Sequence, residues 1–165
     1  MPLRRATGAH AASKGHLDTV NALINARADI NLANRDDVTP LMAAMDGGHV
    51  AVVDALLRNG AEVNCADSLD GSTAVIKATM KGSIVMPSML LEKGAGVHQE
   101  RQLDSLTALM LAAVSGQIEL VEALLRVGAN VNHANRDGMT AVKLAKHKGR
   151  TEVVNALLRK AAMDD

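Results

Sequence analysis

The sequence predicts an all-α fold, a solenoid of stacked helix–turn–helix units joined by hairpin-like finger loops. Three observations carry that expectation. Thr39, Thr73, Thr107 and Thr140 stand 34, 34 and 33 residues apart, and Gly15, Gly48, Gly82, Gly116 and Gly149 keep almost the same interval. A fixed period of this length marks a stacked-repeat architecture. Each interval holds two short apolar patterns at helical spacing, and neither can bury its face alone, so the units must lean on one another. Finally, the 165 residues contain no Phe, Tyr or Trp, so the core must be built from Leu, Val, Ile, Ala and nine Met. The same lack removes the aromatic anchors common at interfaces and the stacking platforms used for single-stranded nucleic acid.

The elements follow in order within each unit. TPLMAAMDGG, TAVIKATMKG, TALMLAAVSG and TAVKLAKHKG each read as a short first helix, with Thr near its start and Gly at its stop. A second helix comes next: Val52, Val53, Leu56 and Leu57 share one face, and Leu120, Val121, Leu124, Leu125 and Val153, Val154, Leu157, Leu158 repeat them. In GAEVN, GAGVH and GANVN the glycine lets that helix end and the chain turn outward. Asp70-Gly71 and Asp137-Gly138 mark tight turns ahead of the following Thr.

Taken together, Thr39-Pro40-Leu41, Ala43-Ala44, Gly48-His49, the Val52-Val53 and Leu56-Leu57 pairs, Gly60-Ala61 and Val63-Asn64 resemble the ankyrin repeat. The resemblance covers nearly the whole chain as one domain, 1–165, in five units at 3–35, 36–69, 70–103, 104–136 and 137–165. It implies a protein-binding module that uses a concave surface of fingers and first helices and has no catalytic machinery. Three departures carry expectations. Unit one has ATGAHAA, with Gly8 at the Leu position and Arg27 in place of the helix-ending glycine, so either its first helix is expected to fray or the sequence is expected to begin inside a longer array. Pro87 stands where Val53, Val121 and Val154 stand in sister units, so that second helix should start late or bend. Unit five carries Lys143, Lys146, His147, Lys148 and Arg150, the polar outer face a terminal cap needs.

Composition and motifs narrow the function classes. Eighteen basic side chains balance eighteen acidic ones, so no overall field selects nucleic acid or an anionic membrane. No apolar run approaches the roughly 20 residues needed to span a bilayer, and MPLRRATGAHAASKGH lacks the apolar core of a secretory signal. The lone Cys65 suits a reducing compartment, and an intracellular, cytoplasmic location is expected. Cys65, His98 and His133 lie in loops of units spaced by about a helix diameter, roughly 10 Å, too far apart to share an ion at about 2.3 Å, and no metal or other cofactor is expected. No phosphate loop, dinucleotide fingerprint or Gly-x-Ser-x-Gly occurs, so an enzyme ranks last. His16 and His49 read as braces of the turn into the second helix. The basic cluster of unit five, diluted by Glu152, Asp164 and Asp165, reads as a solvated cap. Met42, Met45 and Met110 read as core, Met80 as more exposed.

The fingers carry the candidate site. Asn64 to Asp70 spans one residue more than Asn31 to Asp36, and both longer loops set a leucine before an aspartate, in DSLDGST and RQLDSLT. Leu69 and Leu103 are therefore expected at finger tips, unless each packs on its neighbouring finger. Val38, Ser72, Leu106 and Met139 occupy the variable position before Thr. With Met80, Lys81, Val114 and Ser115 at the ends of first helices they form one concave strip, flanked by Arg35 and Arg136, which are expected to orient acidic groups. The reading is a monomeric module that binds another protein or an extended peptide there, and neither nucleic acid nor membrane. Two alternatives stay open. One is a structural spacer or regulatory segment of a larger protein. The other is a substrate for an asparaginyl hydroxylase at Asn31, Asn64 and Asn132, which match the loop asparagine that the resemblance marks. A designed origin fits poorly with Pro87 and the uneven periods.

Overall fold

The computed structural model describes residues 3–164, with side chains from 7 to 163. Ten helices occupy the described residues: α1 Leu3–Ser13, α2 Leu17–Asn25, α3 Pro40–Gly47, α4 Val50–Arg58, α5 Ala74–Met80, α6 Val85–Glu92, α7 Ala108–Ser115, α8 Ile118–Arg126, α9 Ala141–His147 and α10 Thr151–Asp164. The odd-numbered helices pack in one row, the even-numbered ones in a second, and each first helix packs on its own second helix. This two-layer stack gives every interior unit a neighbour on either side. One continuous core results, in which Met42, Met45, Leu56, Ile76, Leu90, Leu109, Met110, Leu120, Leu124 and Leu157 are fully buried. Methionine, with its flexible stem, fills space that aromatic rings would otherwise occupy.

Capping explains where the first helices begin. The hydroxyls of Thr39, Thr73, Thr107 and Thr140 accept the amides of Met42 at 3.2 Å, Ile76 at 3.5 Å, Met110 at 3.3 Å and Lys143 at 3.4 Å. Each satisfies a donor that the first turn leaves without a partner. In unit one Ala6 holds that register position, with no oxygen to stop the helix. The expected fraying does not occur: α1 runs through to Leu3, and Ala9, Ala11 and Ala12 are buried beside α3. At the other end of this unit Arg27 adopts φ 53°, the left-handed conformation that Gly60, Gly94 and Gly128 take in later units. A side chain there costs about 1 kcal/mol relative to glycine.

Pro87 acts as expected. Helix α6 begins at Val85, one register position later than α4 does at Val50, which places Pro87 in the first turn, where the missing N–H would have had no helical partner.

In three units the residue after the mid-unit glycine ties its unit to the one before. His49 Nε2 donates to the Ser13 carbonyl at 3.0 Å, Gln117 Nε2 to Thr79 at 3.2 Å, and Arg150 Nε to Val114 at 3.2 Å. His49 therefore braces the preceding unit rather than its own turn, where its side chain makes no cap bond. The glycines leave room for it: a Cβ at Gly15 would sit 2.5 Å from the His49 ring. The exposed His16 makes no side-chain cap bond at the start of α2. Ser83 is too short to reach back across the second junction, and its hydroxyl accepts the Val85 amide instead.

Candidate partner-binding face

Each finger is a narrow turn between a loop residue and the Thr of the next helix. Isolated antiparallel bridges join Ala66 to Thr73, Glu100 to Thr107 and Ala134 to Thr140, so the two middle fingers are one residue longer than the last. The short fingers are organised by asparagine. Asn34 Oδ1 accepts the amides of Asp36 and Val38, at 2.9 and 3.0 Å. Asn135 Oδ1 accepts those of Asp137 and Met139, at 3.0 and 2.9 Å.

The long fingers use charge. Asp67 Oδ1 accepts the amides of Leu69 at 3.2 Å and Asp70 at 3.0 Å, and Asp70 Oδ1 accepts that of Ser72 at 2.9 Å. The other oxygen, Oδ2, is buried without an aligned hydrogen bond, and Lys77 Nζ holds it as an ion pair at 2.7 Å. Burial alone would raise the Asp67 pKa, but the ammonium of Lys77 and the finger amides outweigh it and hold the carboxyl below its usual range. In the next finger Arg101 stands where Asn34, Asp67 and Asn135 stand, and a guanidinium cannot accept an amide. It grips Asp104 instead, with Nε at 3.1 Å from Oδ1 and a second close contact from Nη2 to Oδ2. Asp104 Oδ1 in turn accepts the Leu106 amide at 3.2 Å. The Arg101 pairing lowers the Asp104 pKa and raises that of the guanidinium.

The extra residue sends both leucines outward. Leu69 and Leu103 are each 71% exposed, so neither packs on its neighbouring finger. Met80, at the end of α5, is 54% exposed, and Arg101 Nη1 lies 3.7 Å from its sulfur. Lys81 is exposed and 3.4 Å from Asp46. Ser115 is exposed; Val114, Val38, Leu106 and Met139 are half-buried, and Val38 and Leu106 also pack on the core. Ser72 does not belong to this surface. It is 1% exposed; beside it the Gln102 side chain of the next finger lies against Gly71, and the Gln102 backbone amide donates to the Asp70 carbonyl at 2.7 Å.

The flanking arginines differ. Arg35 is exposed. Arg136 reaches back to the preceding finger, donating to the Leu103 carbonyl at 3.0 Å and to the Gln102 carbonyl. Its guanidinium positions the finger that carries Leu103. Asp67, Lys77, Arg101 and Asp104 were not singled out from sequence, although a signal existed: Lys77 stands where sister units have Ala43, Leu111 and Leu144, in the one unit where finger Asn becomes Asp.

The remaining candidates have structural occupations. Cys65 is half-buried and its thiol donates to Glu62 Oε2 at 3.3 Å; burial first, then that carboxylate, raises its pKa, which disfavours the reactive thiolate. His133 Nε2 is 2.8 Å from Glu100 Oε2, and among the described residues no three His, Cys, Asp or Glu side chains gather as a metal site. Asn31 and Asn64 tie units together, accepting the amides of Glu62 at 2.9 Å and Gly96 at 2.7 Å. In unit five Lys143 donates to the Gly138 carbonyl at 3.0 Å; Lys146, His147 and Lys148 are exposed, while the side chains of Asp164 and Asp165 lie outside the described residues. Among the described residues no helix is long and apolar enough to cross a membrane.

Threonine-capped first helices, left-handed glycine stops and ordered fingers in one register define a helical-repeat scaffold that presents loops along one edge. The chain belongs to the ankyrin-repeat family: a family model described as ankyrin repeats (3 copies) matches residues 9–101 and 88–165. Members of this family generally serve protein–protein interaction rather than catalysis. The chain is similar to a probable E3 ubiquitin-protein ligase, XBOS33, of Oryza sativa subsp. japonica, 44% identical over 72 residues, which cover 44% of this chain and 14% of the relative. It is also similar to alpha-latrotoxin-Lh1a of Latrodectus hasselti, 44% identical over 71 residues, covering 43% of this chain and 5% of the toxin. Cyclin-dependent kinase 4 inhibitor B of Rattus norvegicus is 39% identical over 74 residues, which cover 45% of this chain and 56% of that protein. The matched segments thus span between a twentieth and a little over half of these relatives.

Proposed function

We propose that the chain binds an extended segment of another protein along its fingers and first helices, with Leu69, Leu103 and Met80 as the apolar anchor. The observation that carries this reading is the exposure of both finger leucines, 71% each, on adjacent units at the same register. Neither contributes appreciable burial to the fold, and exposed apolar groups gathered on one face mark interfaces. The surrounding fingers are held by hydrogen bonds from Arg136 and Gln102 and by the Asp67–Lys77 pair. Such a face loses little conformational freedom on binding, so more of the contact energy appears as affinity. Val38, Leu106, Val114, Ser115 and Met139 extend the strip, Lys81 borders it, and Arg35 offers a cation to an acidic group at one end.

Affinity capture from the source cell's lysate tests this, comparing the native chain with a Leu69→Glu, Leu103→Glu double variant of unchanged helical content. A protein captured by the native chain and lost by the variant is the expected result. Equal capture by both sinks the proposed face.

A further inference from the structure

The row of residues that ends the first helices changes chemistry from unit to unit. At the same two register positions after the threonine stand Asp46 and Gly47 in unit two, Met80 and Lys81 in unit three, Val114 and Ser115 in unit four, and His147 and Lys148 in unit five. Asp46 lies 3.4 Å from Lys81, so these two exposed charges offset each other. The finger entering unit two carries both signs at its tip, Arg35 with Asp36 and Asp37, all exposed. Units three and four present the apolar middle, Leu69 with Met80 and Leu103 with Val114. In unit five His147 and Lys148 are exposed, and neither makes an ion pair among the described residues.

The basic cluster of unit five therefore divides in two. Lys143 and Lys146 stand where sister units bury Met42, Ile76 and Met110 or Met45, Thr79 and Ala113, so they point away from the row. Lys148 stands in it, next to the apolar middle. Lys14 holds the same register in unit one, but Asp36, Asp37 and Asp46 of unit two come between it and that middle. Stacked helices lie about 10 Å apart, the rise of about three residues of extended chain. A segment laid along the strip thus meets a new unit with about every third residue, and charges at the edge of such a contact fix its orientation.

We infer that the partner is an acidic extended segment, in which two apolar side chains about three residues apart meet units three and four and a carboxylate about three residues further on meets Lys148 and His147. The inference rests on the finger face being the binding surface. Panning a random-peptide library on the full chain tests it, with the enriched peptides then titrated by fluorescence anisotropy. The native chain should enrich peptides with two apolar residues and a carboxylate at that spacing. Lys148→Glu should weaken an enriched peptide about fivefold, and exchanging the peptide's carboxylate for lysine should recover that loss on the variant. Lys146→Glu, an equal change of charge outside the row, should leave affinity within about twofold. Enriched peptides without acidic residues, equal effects of the two substitutions, or no recovery with the exchanged peptide overturn the acidic partner; a lysine that served only the end of its helix would give the last of these. The Leu69→Glu, Leu103→Glu variant separates the two levels. Peptides that bind it as tightly as the native chain, or a native chain that enriches none, sink the finger face and the acidic partner together. Peptides that need the leucines and ignore Lys148 sink the acidic partner alone.

Discussion

In the fingers around Asn34 and Asn135 a neutral amide oxygen collects two backbone N–H groups. In the two middle fingers, one residue longer, that work falls to the carboxylates of Asp67, Asp70 and Asp104, with Lys77 and Arg101 as counter-ions. The extra peptide unit adds amides that one asparagine oxygen cannot collect, so a second acceptor enters each longer turn or a cation fixes the one present. The same extra residue lifts Leu69 and Leu103 into solvent. The fingers that display exposed leucines are thus the ones stiffened by ion pairs, whereas the short fingers display charged tips on a neutral base.

The sharpest way to break that contrast is Asp67→Ala. It leaves Lys77 without its counter-ion and two finger amides without an acceptor, and about 3 kcal/mol of stability should be lost. Urea denaturation reads this, and a loss below about 1 kcal/mol would mean the pair is ornamental.

Acid should separate the two finger types in one sample. Asp67 and Asp104 have folded pKa values below their unfolded ones, so the unfolded chain binds more protons as pH falls, and their contribution, present above about pH 4, is lost as pH drops through the folded values. Hydrogen-exchange protection at Leu69, Asp70 and Leu106 should fall in that window while Val38 and Met139 keep theirs. Parallel loss at all five amides would refute a charge-specific device.

Asn135→Ala should cost less, about 1 kcal/mol, with the same penalty at acidic and neutral pH; thermal melts at both values check it. Smallest of all, the Leu69→Glu, Leu103→Glu variant should change stability by no more than about 0.5 kcal/mol, since these side chains touch little in the free chain. A larger loss in its melt would show that the leucines pack and would remove the reason to regard them as anchors.

Much of the fold was legible because it rests on short-range rules. The threonine caps act over three residues, the glycine stops need only a left-handed backbone, and Pro87 shifts α6 through its missing N–H. The site was legible in part. The longer loops exposed their leucines as the spacing implied, but Ser72 is buried, in a turn whose Gly71 meets Gln102 of the next finger, a contact the spacing does not reveal. Unit one misled for a related reason. Gly8 at the Leu position and Arg27 in place of glycine suggested fraying, whereas packing beside α3 sustains a longer helix.

By itself the sequence determined the repeat, the starts of the threonine-capped helices, the methionine-filled core and the two longer fingers, all consequences of composition and of interactions a few residues apart. Only the tertiary structure decided that Arg136 holds the Leu103 finger, that His49, Gln117 and Arg150 tie successive units, and that Lys77 neutralises Asp67. Most of these contacts join residues 10 to 38 positions apart. Stacking sets which groups meet at such separations, and a side chain's donor count does not reveal which carbonyl of the neighbouring unit lies within 3 Å of it.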